Sequence, residues 1–180
     1  MNSLKKNTRN APRYLSRQRG ASLLEGIAYL GIAAIVVLGA VSLLTGAFSS
    51  AQSNRVSEEV ISIRTGVKKL FMGESAGYGA APLDAMMISA KVIPTTLTVT
   101  AGVINNAWGG TVAIAGATNQ FTITYTLVPQ DACISLISGA SGWFSITAGG
   151  AAAILTFPAK PSDAVIQCAA PTNTIVWTSL

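Results

Sequence analysis

Histidine is absent from the 180 residues, which removes Ser-His-Asp and Cys-His catalysis and the commonest transition-metal ligand together. Asp84, Asp131 and Asp163 are scattered along the chain and offer neither a catalytic constellation nor the tight cluster of hard oxygens that a calcium site needs. No enzyme activity, cofactor or metal is expected. Two cysteines, Cys133 and Cys168, lie 35 positions apart, too few for a structural zinc site and unlike a CxxC redox pair. Two readings stand for them: one disulfide outside the cytoplasm, contributing roughly 3 to 4 kcal/mol on the chain-entropy model, or two buried reduced thiols. The remaining chemical oddity is Glu25, one carboxylate near the start of the run "RQRGASLLEGIAYLGIAAIVVLGAVSLLTGAF". An acid within an apolar helix costs a few kcal/mol on insertion scales, so it marks a partner or a function.

The elements that must position Glu25 follow from charge and periodicity. Lys5, Lys6, Arg9, Arg13, Arg17 and Arg19, six of the twelve bases, precede Gly20, and no acid does. Residues 21–180 hold six bases against seven acids. The basic balance thus belongs to a tail, and the folded part lacks the clustered Lys and Arg of a nucleic-acid surface. Residues 1–20 read as a disordered basic segment. From Gly26 to Asn54 no residue is charged, which exceeds the roughly 20 positions a helix needs to cross a bilayer. Positive charge on the N-terminal side predicts the tail in the cytoplasm and the remainder outside. The run is also longer than the apolar part of an ordinary secretory signal.

Beyond the span, Val56, Val60, Ile63, Val67 and Leu70 recur at helical spacing, with Arg55, Glu58, Glu59, Lys68 and Lys69 mostly off that stripe. No proline interrupts residues 13–81, so one helix from about Ser22 to Phe71, about 75 Å long, is expected to end at Gly73. Its halves are residues 21–54, which cross the membrane, and 55–73, which carry a folded region on one side. In residues 74–180, Pro82–Ala90 and Gln130–Ile137 read as short helices. Thr96–Thr100, Thr111–Ala115, Phe121–Leu127, Trp143–Thr147, Ala152–Phe157 and Thr174–Thr178 read as strands, the second and third joined by a hairpin at 116–120. The fold class is α+β, a mostly antiparallel sheet on a long helix. Trp108 reads as an anchor at a loop-to-sheet junction; Trp143, Phe144 and Trp177 read as core or subunit-interface residues.

Glu25 then needs a positive partner. No Lys or Arg follows it until Arg55, about 45 Å along the helix. Arg17 and Arg19 lie close behind and are one candidate pair of interfacial partners. A cut after Gly20 is the other route: it removes the tail and leaves a mostly protonated α-amine on Ala21. In a helical array, Glu25 of one copy could pair with the Ala21 amine of the next, satisfying both charges inside an apolar core.

These residues resemble a known family. "RG" before "ASLLE" and the uninterrupted apolar run is similar to the cleavage motif of type IV prepilins. The 20-residue leader, "NNAWGGTVAI" at 105–114, "VPQDACISLIS" at 128–138 and the late cysteine at 168 resemble the type IVb group, particularly PilS-type pilins of thin conjugative and enterobacterial pili. The resemblance implies the type IV pilin fold, with Cys133 and Cys168 bonded around a D-region. It implies that a membrane prepilin peptidase cuts between Gly20 and Ala21 and methylates the new amine, and that Glu25 serves assembly. Ala21 departs from the Phe, Met or Leu often found first in mature pilins, which bears on methylation and on packing of the helix end. The implied role is the major subunit of a surface filament for adhesion, aggregation or conjugative contact. It is held in the inner membrane before assembly and extracellular afterwards. Implied partners are identical copies, the peptidase, an assembly ATPase with its inner-membrane platform protein, and a minor pilin or tip adhesin. Two rival readings are a type II secretion pseudopilin, whose subunits commonly carry calcium in place of the disulfide, and a single-pass anchored binding protein that keeps its tail.

Overall fold

The computed structural model describes residues 22–180; Gly20 and Ala21, where the cut is expected, lie outside the described residues. The first element is α1 (Leu23–Leu70), 48 residues long. Ser22 precedes it, and its carbonyl accepts the amides of Glu25 at 2.8 Å and Gly26 at 3.0 Å. Glu25 in the first turn and Lys68 and Lys69 in the last match the helix dipole at both ends. The helix ends at Leu70, and the turn that follows, closed by the Glu74 amide on the Phe71 carbonyl at 3.1 Å, places Gly73 at φ 96°, which costs glycine little.

Two compact units meet in sequence at Ser42 and Leu43, and α1 contributes to both. In the described part of the first unit, Leu23, Leu24, Ile27, Leu30 and Ile35 are among many large apolar side chains that are exposed. By length and composition α1 can cross a membrane.

The second unit is built on the stripe that the sequence shows. Val56, Val60, Ile63 and Val67 are buried, while Leu70, at the frayed end, is partly exposed. After α1 come α2 (Asp84–Ser89), β1 (Thr98–Thr100), β2 (Val103–Asn105), β3 (Thr111–Ala117), β4 (Gln120–Pro129), α3 (Gln130–Ser138), β5 (Ser145–Ala148), α4 (Pro161–Gln167) and β6 (Thr172–Ser179). The strands form one six-stranded antiparallel sheet in the order β1-β2-β3-β4-β6-β5. β4 and β6 alternate strictly between covered and open positions along most of their lengths, as a sheet with one packed face requires. Phe121, Ile123 and Tyr125 of β4 and Ile175 and Trp177 of β6 supply the centre of the core.

Three local results differ from the sequence expectation. β2 is only three residues long and α4 only seven, each too short to give a clear period; Pro161 at the first position of α4 is the one usable signal. Residues 152–157 form no strand. Ile154 alone bridges to Ile146 of β5, through paired backbone bonds of 2.8 and 3.1 Å. Gly149 and Gly150 turn the chain at positive φ, and the Gln167 side chain takes up the ladder groups on either side. Its Oε1 accepts the Ala148 amide at 2.6 Å and its Nε2 donates to the Ala152 carbonyl.

Candidate functional site

The features that could serve assembly lie along α1 and in the sheet unit that follows it. Glu25 is exposed, and its Oε1 accepts a long contact from the Tyr29 hydroxyl one turn on, at 3.5 Å. Among the described residues no base pairs with it; the single ion pair there is Arg55 to Glu59, at 3.4 Å.

Further along, the helix becomes polar on one face. The Ser53 and Ser57 hydroxyls donate to carbonyls four residues back, so serine satisfies its own polarity within the helix. Ser49 instead donates to Asp131 in the first turn of α3. That hydrogen bond, with help from the amide of Ala132, holds the Asp131 carboxyl below its ordinary pKa. Ser49 and Asp131 thus fasten the end of the uncharged run to α3.

Six residues past Ser53, Glu59 is only 4% exposed. The sequence reading places it mostly off the buried stripe; the structure places it on the stripe, three residues after Val56 and four before Ile63. Arg55 reaches its Oε1 and also donates to the carbonyl of Thr96 at 3.0 Å, tying α1 to the loop before β1. The other carboxylate oxygen and the Tyr125 hydroxyl are buried without a complete hydrogen bond. Burial first, then the charge and hydrogen-bonding reach of Glu59, push the Tyr125 phenol well above its usual range. An acid and a neutral phenol thereby meet across the seam between α1 and β4.

Cys133 of α3 and Cys168, at the end of α4, form a disulfide with a Cα separation of 5.9 Å. Both are fully buried, and Gln130 Nε2 donates to the Cys168 carbonyl at 2.9 Å. The bond therefore joins α3 to α4, which pack on each other, and α3 in turn contacts β4 and β6. The "NNAWGG" stretch makes the turn from β2 to β3. Asn106 is its hub: its Oδ1 accepts the amides of Trp108 and Gly110, and its Nδ2 donates to the Thr126 carbonyl at 2.8 Å. A Cβ on Gly110 would sit 2.1 Å from the Thr126 carbonyl oxygen, so the second glycine is a requirement of close approach. Trp108 packs partly buried against the core, as an anchor of that junction. Trp143 and Trp177 are buried and Phe144 stays half-exposed.

Comparison with known proteins follows the same lines. The family model described as PilS N terminal matches residues 50–180. The major structural subunit of bundle-forming pilus from Escherichia coli O127:H6 is 28% identical over 125 residues, covering 66% of this chain and 63% of that protein. Its counterpart from Escherichia coli O111:H- aligns with the same figures. The chain therefore spans a little under two thirds of the length of these curated relatives. Among solved structures, TcpA, a type IV pilin from Vibrio cholerae El Tor biotype, matches with a TM-score of 0.52 and 13% identity, over 72% of this chain and 99% of that one. This last likeness is one of fold: the long N-terminal helix carrying an antiparallel sheet.

Proposed function

Because the chain belongs to the PilS N-terminal family of type IV pilins, we propose that it is the major repeating subunit of a type IVb surface filament. The observation that carries this reading is the apolar first half of α1, whose large side chains from Leu23 to Phe48 are exposed. An apolar surface of that extent needs lipid or like helices around it. Lipid would cover it in the inner membrane before assembly, and the same segment of other copies would cover it in the filament.

The expected cut between Gly20 and Ala21 supplies the step between these states. The basic leader of residues 1–20, held in the cytoplasm, would be removed by a prepilin peptidase. Residues 21–54 would then form the filament core, and 55–73 would carry the sheet unit of 74–180 on the outside. The Ala21 amine would be the partner that Glu25 lacks among the described residues. An assembly ATPase with its platform protein would drive insertion, and a minor pilin or adhesin would complete the tip. The E. coli relatives, named for a bundle-forming pilus, support a self-associating filament over a pseudopilin.

The test is Glu25→Leu in cells that display filaments of the wild-type chain. Surface filaments recovered by shearing should fall about tenfold or more, as expected for a buried charge left without its partner, while leader removal continues. Wild-type amounts of filament from Glu25→Leu would overturn the role given to this acid.

A further inference from the structure

Three of the six bases in residues 43–180, Arg64, Lys68 and Lys69, fall within one short stretch of α1. Two of them share a groove. The Arg64 guanidinium carbon lies 4.7 Å from the centroid of Trp143, and its Nε donates to Ser179 Oγ at 3.2 Å. Stacking and hydrogen bond together fix the guanidinium while leaving its outer nitrogens open. Lys68 follows four residues on, where like charges repel. Desolvation and then the charge of Arg64 lower its pKa. Among the described residues no carboxylate comes within ion-pair distance of either cation. The groove, about 490 Å³, is walled by Phe144 and Leu155, which are 49% and 64% exposed. Ser179 and Leu180 also line it; two cations without an ion-pair partner among the described residues, set between apolar walls, fit an acid flanked by apolar surface.

The chain itself carries such acids. Glu59 is taken by Arg55, Asp84 by the Ile114 amide and Asp131 by Ser49. Among the described residues Glu58 and Glu74 have no such clasp, and Asp163 accepts only a long hydrogen bond from the adjacent Ser162 hydroxyl, at 3.4 Å. Each has an exposed apolar residue close by in sequence: Ile61, Met72 and Ile166 respectively, with Met72 80% and Ile166 66% exposed. A contact between two different patches of identical subunits is heterologous, and repeating it builds an open helical array wherever the rotation does not close into a ring.

We propose that the groove of Arg64 and Lys68 is a subunit contact that receives an acidic side chain, Glu58, Glu74 or Asp163, from a neighbouring copy of this chain. This rests on the filament reading above. Lys68 is the residue to change, because it is exposed and its side chain makes no hydrogen bond among the described residues, whereas Arg64 braces Trp143.

The experiment compares sheared surface filaments and the membrane-held, disulfide-bonded chain in cells making wild type, Lys68→Gln or Lys68→Glu. Lys68→Glu is also combined with Glu58→Lys, Glu74→Lys or Asp163→Lys. Filament yield should fall about tenfold or more for Lys68→Glu, because like charges are brought together at the contact, and less for Lys68→Gln. The disulfide-bonded pool should hold steady. One of the three reversals should return Lys68→Glu to within about twofold of wild type. Equal filament yield from Lys68→Glu and wild type overturns the contact and leaves the filament reading intact. So does failure of all three reversals to rescue. A matching fall in the disulfide-bonded pool would assign Lys68 to folding and also overturns it. Normal filaments that lose only binding to a carboxylated surface would make the groove a receptor for an outside ligand, against the proposal. Absence of filaments from the wild-type chain would overturn both readings.

Discussion

Tyr125 and Glu59 show how one buried pair couples a helix to a sheet. Folding holds the Tyr125 proton more tightly than the unfolded chain does, since burial and the nearby carboxylate both raise its pKa above the ordinary 10.0. The linkage sign follows: the folded state keeps its proton where the unfolded phenol would lose it. This contribution is fully present below about pH 10 and is lost as pH climbs above that value. Unfolding of the detergent-solubilised chain, followed from pH 8 to pH 11, should show stability dropping at the alkaline end. In Tyr125→Phe that component of the drop should vanish. An unchanged alkaline profile in the phenylalanine variant would contradict the coupling. Glu59 also marks what the residue scale hid in the sequence. Its spacing from Val56 and Ile63 is that of the buried stripe, but its charge argued for solvent; Tyr125, distant in sequence, together with Arg55 one turn back, explains why it is inside.

At the scale of elements, the disulfide joins α3 to α4 and closes a loop of 35 positions. Replacing Cys133 by Ser should cost about 2 to 5 kcal/mol of stability, read as an earlier thermal unfolding of the solubilised chain, and reductant should lower wild type toward the variant. Equal unfolding of oxidised and reduced chains would contradict a structural role for the bond. Much at this scale was legible. The stripe from Val56 to Val67 has helical spacing, the turn at 118–119 falls within the expected hairpin, and β3, β4 and β6 carry alternating patterns long enough to be seen. The failures share a cause. β2 and α4 are shorter than one readable period, and residues 152–157 look like a strand while a glutamine fifteen positions away, Gln167, takes the hydrogen bond of Ala152. The Ser49 to Asp131 contact spans 82 positions and likewise leaves no local trace. The pairing of Cys133 with Cys168 was legible only as one of two readings until the family resemblance was added.

At the scale of the whole molecule, an apolar helix and a sheet unit occupy one chain with different solvents. The sheet unit has a complete core of its own around β4 and β6. The first half of α1 exposes apolar side chains along its described length and carries a single acid near its start. On the proposed reading, these properties suit a subunit that exchanges lipid for its own copies, with Glu25 paired to an amine that a cut at Gly20 would create. The measurement that tests this most directly is intact mass and N-terminal sequencing of the chain sheared from cell surfaces. The same chain, extracted from membranes of cells without the peptidase, serves as reference. The account predicts a sheared chain that begins at Ala21, with its two cysteines oxidised, beside an uncut chain in the reference. Full-length protein beginning at Met1 and confined to membranes in both samples would contradict it.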